Sequence, residues 1–211
     1  MFSTDTFFSP VQAIGGETMC QLLTVPYGMH KESEGLGALQ SFINDKGAPD
    51  CIKRDNSKMQ NSAAWKKLEK KYGIKDITSE PHNQQQNPAE QRIQTVKKGV
   101  NRIMDQTGCP KFMWFECLVY FCAILNMASS PKLDHRNSIE VALRHSVDIS
   151  PHICYKWWED VYYLDYEDTL FLKSKEKLGK FCGPSENCGD LLTFKIYVPS
   201  SHCIINQSVL R

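Results

Sequence analysis

The sequence predicts an α/β domain followed by a small antiparallel β module. Up to about residue 145, short runs rich in aromatic and β-branched residues alternate with stretches of helical apolar period, the pattern of an α/β domain. From about residue 155 the texture changes to short strand-like runs parted by Gly, Pro, Asn and Asp, which suits a small barrel. The division predicted is a core at 1–145, a linker at 146–160 and the β module at 161–211.

The elements follow in order. "MFSTDTFF", rich in Phe and Thr, reads as a first strand; because it begins at the first residue, it reads as part of a chain cut off from a longer one upstream. "MCQLLTVPY" is a second strand. In "ESEGLGALQSFINDKGAPD", Leu36, Leu39, Phe42 and Ile43 form the apolar side of a short helix that Gly47 and Pro49 end. "DCIKRD" is a short strand closing at Asp55–Asn56, "AAWKKLEKKYGI" a helix stopped by Gly73, and "IKDITS" another strand. A long helix starts at Pro88. Ala89, Ile93, Val96, Val100 and Ile103 recur at helical spacing as one core-facing stripe, with Glu90, Gln94, Lys97 and Asn101 clustered beside it. Gly108 and Pro110 break that helix, and an apolar helix covers 111–127. "VYYLDY", "TLFLK", "LLTFKIYVP" and "CIINQSVLR" are the strand-like runs of the module.

Composition narrows the class. Apolar residues at 41% and charged residues at 23% are globular values. The net charge of +1 provides no global field toward nucleic acid or an anionic membrane, so any polyanion binding comes from local patches. Nine cysteines without a C-x-x-C pair point to thiols in a reducing compartment rather than a disulfide scaffold or zinc ribbon. Cys182, Cys188 and His202 likewise match no usual zinc spacing. The start has no basic and then apolar region of a signal peptide. The run at 112–128 is short for a bilayer and carries Glu116 and Asn126, so it reads as a buried helix, and no membrane association is expected.

Three carboxylates carry the candidate chemistry. Asp5 lies on the first strand, Asp55 at the end of a later one, and Glu90 at a helix start. Strand ends and helix starts of α/β domains gather around one crevice, so carboxylates from these places can converge. Converging carboxylates repel unless a cation neutralises them, and hard oxygen ligands favour Mg²⁺ or Mn²⁺. Glu90 also has a structural reading. Asn87 is a helix N-cap, Pro88 suits the first helical position, and a glutamate three residues after the cap completes a capping box. The two readings are compatible, because a helix start fixes the carboxylate's position.

"FSTDTFFS", "APDCIKRDNSKMQ" and "EPHNQQQNPAEQRIQTVKKGVNRIM" resemble the three carboxylate motifs of Ty1/copia-type retrotransposon integrases, a D, D(35)E pattern shared with retroviral integrases. Here 34 residues separate Asp55 from Glu90, one fewer, and "DNSKM" replaces the commoner glycine pair after the second aspartate. "SIEVAL", "WWEDVYYLDYED", "SKEKLGKFCGPSENCGDLLTFKI" and "INQSVLR" resemble the segment that follows the core in the same elements. The resemblance implies an RNase H-like core with a mixed five-stranded sheet and flanking helices, followed by an SH3-like β-barrel module. It implies a polynucleotidyl transferase that trims the ends of element DNA and joins them to target DNA, with Asp5, Asp55 and Glu90 holding two Mg²⁺ or Mn²⁺ ions. Asn56 matches the asparagine after the second aspartate and Asn87 the polar residue before the helix, both in supporting roles toward DNA. The family's N-terminal His/Cys zinc module has no counterpart after Met1, so an N-terminally truncated chain is expected. The resemblance further implies a homo-oligomer, possible chromatin contact, and action in the nucleus after assembly in a cytoplasmic particle.

Several features keep two readings. Lys97, Lys98 and Arg102 suit phosphate contacts along a helix that begins in the active site, and suit plain solvation equally. "KKLEKKYGIK" reads as a solvated face before a DNA patch. Trp157, Trp158, Tyr162 and Tyr163 read as anchors of the β module to the core, with base stacking as the alternative. For the whole chain, the alternatives to a strand transferase are a catalytically defective relic that binds DNA or chromatin, and a related RNase H-like nuclease.

Overall fold

The computed structural model of the chain describes residues 2–3, 5–17, 19–22, 25–54, 60–78, 88–143, 146–165, 175–186, 188–208 and 210. They divide into two units, Met1–Arg102 with Pro110–Cys122, and Ile103–Cys109 with Ala123–Arg211. Along the chain run β1 (Phe2–Ser3), β2 (Asp5–Phe8), β3 (Met19–Leu22), β4 (Pro26–Met29), α1 (Gly35–Lys46), β5 (Cys51–Arg54), α2 (Ala63–Tyr72), β6 (Lys75–Thr78), α3 (Pro88–Thr107), α4 (Trp114–Met127), α5 (Ser138–Leu143), α6 (Ser150–Ile153), β7 (Asp160–Leu164), β8 (Glu176–Pro184), β9 (Phe194–Val198) and β10 (Cys203–Gln207). The result is a mixed α/β structure. No helix among the described residues is long and apolar enough to cross a membrane.

The first unit has two three-stranded sheets, one parallel in the order β1-β5-β6 and one antiparallel in the order β2-β3-β4. Only residue 4 separates β1 from β2. "MCQLLTVPY" therefore supplies two strands rather than one: β3 and β4 form a hairpin, and β4 continues past Tyr27 to Met29. The expected helices are present. Leu39, Phe42 and Ile43 of α1 are buried with Ile52 of β5, Trp65 of α2 and Ile74, while Leu36 packs at the margin. Ser62 caps α2 by accepting from the Trp65 backbone N–H, and Gly73 closes it in the left-handed conformation. Ile93, Val96 and Val100 of α3 are buried, as are Met113, Trp114, Cys117, Leu118 and Cys122 around and within α4.

The second unit is built on an antiparallel meander, β7-β8-β9-β10, and Tyr163 of β7 also bridges to Leu210 beyond β10. β8, the longest of these strands, is absent from the strands expected from sequence. Its register against β9 shifts between Phe181 and Pro184, where Gly183 adopts φ 105°, a conformation that side chains rarely reach. β9 starts only at Phe194, leaving Leu191 and Leu192 exposed. The expected strand "TLFLK" lies outside the described residues. Phe181, Phe194 and Tyr155 form an aromatic cluster with centroids 5.3–5.6 Å apart, and Trp158 stacks on Tyr197 at 5.4 Å. Trp157 and Tyr163 are buried within this unit, whereas Tyr162 is exposed. The Tyr197 hydroxyl lies 2.8 Å from His202 Nδ1.

Candidate active site

The residues expected to carry chemistry sit on three elements. Asp5 is the first residue of β2, where its backbone pairs in register with Leu22 of β3. β5 ends at Arg54, and Asp55 and Asn56, like Asn87, lie outside the described residues. The backbone just before the two aspartates is described: β1 and β5 run parallel, with Phe2 opposite Ile52 and Ser3 opposite Lys53. Glu90 occupies the first turn of α3 and is half-buried. An acid in that position is favoured by the positive end of the helix dipole.

Beyond Glu90, α3 is held by its apolar stripe and by a close crossing with α4. A Cβ at Gly99 would stand 2.1 Å from Phe121 Cζ, so the tip of the Phe121 ring fills the space that a side chain on α3 would need there. Arg92 approaches Cys122 from α3. Burial pushes the Cys122 thiol up to about 12, and the Arg92 charge opposes that shift.

The chain turns directly after β2. Ser9 Oγ donates to the Val11 carbonyl at 2.9 Å and accepts from the Val11 N–H at 3.2 Å, turning the chain, and the Ile14 N–H donates to the Phe112 carbonyl at 2.9 Å. Phe8, Ser9 and Pro10 thereby line a cleft of about 270 Å³ with Lys97, Val100 and Asn101 of α3 and Trp114 and Leu118 of α4. Lys97 is half-buried in this cleft, whereas Lys98 and Arg102 are exposed. The cleft mixes an apolar floor with one cation and one amide. That combination can hold a sugar–phosphate group beside an apolar face. Its outer wall, Phe8–Pro10, was not foreseen from sequence, because only pairing and the Ser9 turn bring that loop to α3.

No protein-family model matches this sequence, and no curated protein matches it significantly. Solved structures do match. A chain in the structure of the simian T-cell lymphotropic virus intasome in complex with PP2A regulatory subunit B56 gamma superposes with a TM-score of 0.54 at 14% identity, covering 100% of this chain and 77% of that one. The HTLV-2 integrase catalytic core domain in complex with magnesium, in its trimeric form, superposes with a TM-score of 0.51 at 17% identity, covering 67% of this chain and 94% of that one. The fold is integrase-like. At these identities the likeness is one of fold, and the chemistry of this chain has to be argued from its own residues.

Proposed function

We propose that this protein is a metal-dependent polynucleotidyl transferase of the integrase type, which trims DNA 3′ ends and joins them to target DNA. The observation that carries this reading is the pairing of Ser3 with Lys53. Each stands two residues ahead of a candidate aspartate, Asp5 and Asp55, on neighbouring parallel strands. Strands in a sheet lie about 4.8 Å apart, and a step of two residues keeps the same face. Two carboxylates at matching positions on such strands form a site for a hard cation.

The cleft supports the place of Glu90. Phe8 and Lys97 line it together. Asp5 precedes Phe8 by three strand residues, about 10 Å, and Glu90 precedes Lys97 by seven helical residues, also about 10 Å. Asp5, Asp55 and Glu90 would hold two Mg²⁺ or Mn²⁺ ions, a donor set of oxygens suited to those metals. When bound, such ions supply a nucleophile of lowered pKa and stabilise the leaving oxygen of a phosphodiester. The chain's own contribution is positional. The start of α3 fixes Glu90, while Lys97 and Asn101 orient a phosphate in the cleft, and Lys98 and Arg102 extend that contact along the exposed face of α3. Asn56 and Asn87 flank the site as DNA-contacting groups.

The finer architecture belongs to the same reading. The parallel and antiparallel sheets, one residue apart at residue 4, are the halves of one mixed five-stranded RNase H-like sheet, spanning 1–145. After a linker at 146–160, the module at 161–211 would be an SH3-like barrel, a reading supported by the Tyr163–Leu210 bridge across the ends of the meander. The motif order supports the reading of a Ty1/copia-type integrase that would act on DNA in the nucleus as a homo-oligomer. Incubation of the protein with labelled duplex ends and a plasmid, with Mg²⁺, Mn²⁺ or EDTA, tests the activity. Joined product only with metal is expected, and metal-independent product or none at all contradicts the proposal.

A further inference from the structure

Helix α2 presents an outer face that the active site does not use. Lys66, Lys67, Lys70 and Lys71 are all exposed, and at 100° per residue they fall within an arc of about 140°. Trp65, Leu68, Glu69 and Tyr72 occupy the other side. Trp65 and Glu69 are buried, and Leu68 and Tyr72 pack against the α1–β5 core. Glu69, the helix's only acid, is thus turned inward, where Trp65 Nε1 donates to its carboxylate at 2.9 Å. No carboxylate of α2 faces the four lysines.

Helix stability does not account for this arrangement. Lys66 with Lys70 and Lys67 with Lys71 are like-charged i, i+4 pairs, which work against a helix. The dipole favours Lys70 and Lys71 in the last turn, but not Lys66 and Lys67. The chain as a whole has a net charge of only +1, so the concentration of cations here is local.

We infer that the outer face of α2 binds duplex nucleic acid through its phosphate backbone, as a sequence-independent contact separate from the carboxylate site. Lysines are compact point charges that suit phosphates without reading bases. The i, i+4 spacing of about 6 Å matches a polyanion with charges every few ångströms better than a single anion. The only apolar group within that arc is the methyl of Ala63, so the face lacks the large apolar side chains that seat a membrane-surface helix. It also offers no ring for stacking single-stranded bases: Lys71 Nζ lies 5.0 Å over the Tyr72 ring, and the Tyr72 hydroxyl accepts from Gln40.

The test is anisotropy of a labelled 30-base-pair duplex with the full chain, titrated in EDTA across a range of salt concentrations. Without divalent metal, the result is independent of whether Asp5, Asp55 and Glu90 form a site. The K66Q/K67Q/K70Q/K71Q variant should bind at least tenfold more weakly near 0.1 M salt, with a salt slope shallower by about 3. The matching four-arginine variant should retain both affinity and slope. Glutamine is close to lysine in helix propensity, and removing the repulsion should leave the thermal midpoint unchanged or raised. If that variant fails to fold, the pairs K66Q/K70Q and K67Q/K71Q serve instead. Equal affinity and slope for wild type and glutamine variants overturn the inference. So does displacement of the duplex by polyglutamate at equal charge, which would assign the face to an acidic protein.

Discussion

Ser3 and Lys53 are register partners on parallel strands, and each is followed two residues later by an aspartate. Neither residue has a catalytic role itself. Their pairing fixes how far β1 and β5 advance relative to one another, and a slip of one residue would turn every β5 side chain to the other face relative to β1.

The proposed metal site rests on this relationship and can be tested by metal binding. Mn²⁺ should raise the thermal midpoint of the wild type, since a ligand that binds only the folded chain stabilises it by mass action. Asp55→Asn should lose most of that shift while retaining its midpoint in EDTA. An equal Mn²⁺ shift in the variant would remove Asp55 from the site.

Gly99→Ala should destabilise the protein. Exchanging a helical glycine for alanine ordinarily gains about 0.5–1 kcal/mol. Here the added methyl meets the Phe121 ring at 2.1 Å, and overpacking of this kind costs about 1–3 kcal/mol. A net loss of about 1 kcal/mol is expected in urea unfolding, largely restored by adding Phe121→Leu. A stabilised Gly99→Ala would mean that the ring moves aside freely.

Trp65→Phe should cost more than the area it removes. The indole N–H donates to the buried Glu69 carboxylate, and losing a donor to a buried charge costs about 1–3 kcal/mol on top of the packing change. Glu69→Gln keeps an oxygen that accepts from Trp65, so it should be the milder variant. Equal stability of Trp65→Phe and wild type would show that the bond contributes nothing.

Thiol chemistry reports on both units. Burial pushes the Cys122 thiol up to about 12 and the Cys109 thiol up to about 11, from an ordinary value of 9.0. Cys154, Cys188 and Cys203 are exposed, so these three should be alkylated within minutes at pH 8, and Cys109, Cys117, Cys122 and Cys182 only after denaturation. As pH rises past about 9, the unfolded chain releases protons that folded Cys109 and Cys122 retain. Stability contributed by these groups is therefore full below pH 9 and falls toward pH 11–12. The urea midpoint should drop between pH 8 and 10, and by less in Cys122→Ala. A flat profile would contradict the burial of these thiols.

Much of this was legible in the sequence wherever the signal is local. The stripe of Ile93, Val96 and Val100 marks α3 and its buried side, and Asn87-Pro88-Ala89-Glu90 marks its start. β8 was hidden because Lys177, Gly179, Lys180 and Gly183 break the apolar alternation, while its burial comes from packing on β7 and β9. β4 was merged with β3 into one expected strand, because Pro26 and Gly28 carry no strand signal of their own to separate it. At the site, the residue types and their order are visible, but the Ser3–Lys53 register is not. Parallel pairing joins segments 50 positions apart, and no local pattern encodes it. The lysines of α2 were visible too, but their common face shows its meaning only once Glu69 is seen to turn inward.

Strand transfer by Glu90→Gln separates a metal ligand from a helix cap at the start of α3. Glutamine preserves the side chain's size and an accepting oxygen, so any capping contribution should change by well under about 1 kcal/mol. It removes the charge that a hard cation requires. Metal-dependent joining of labelled duplex ends to a plasmid is measured beside the thermal midpoint of the same preparation in EDTA. Glu90→Gln should show an unchanged midpoint and joining reduced by at least a hundredfold in both Mg²⁺ and Mn²⁺. A lowered midpoint with joining intact would contradict the ligand reading and leave Glu90 as a structural residue at the start of α3.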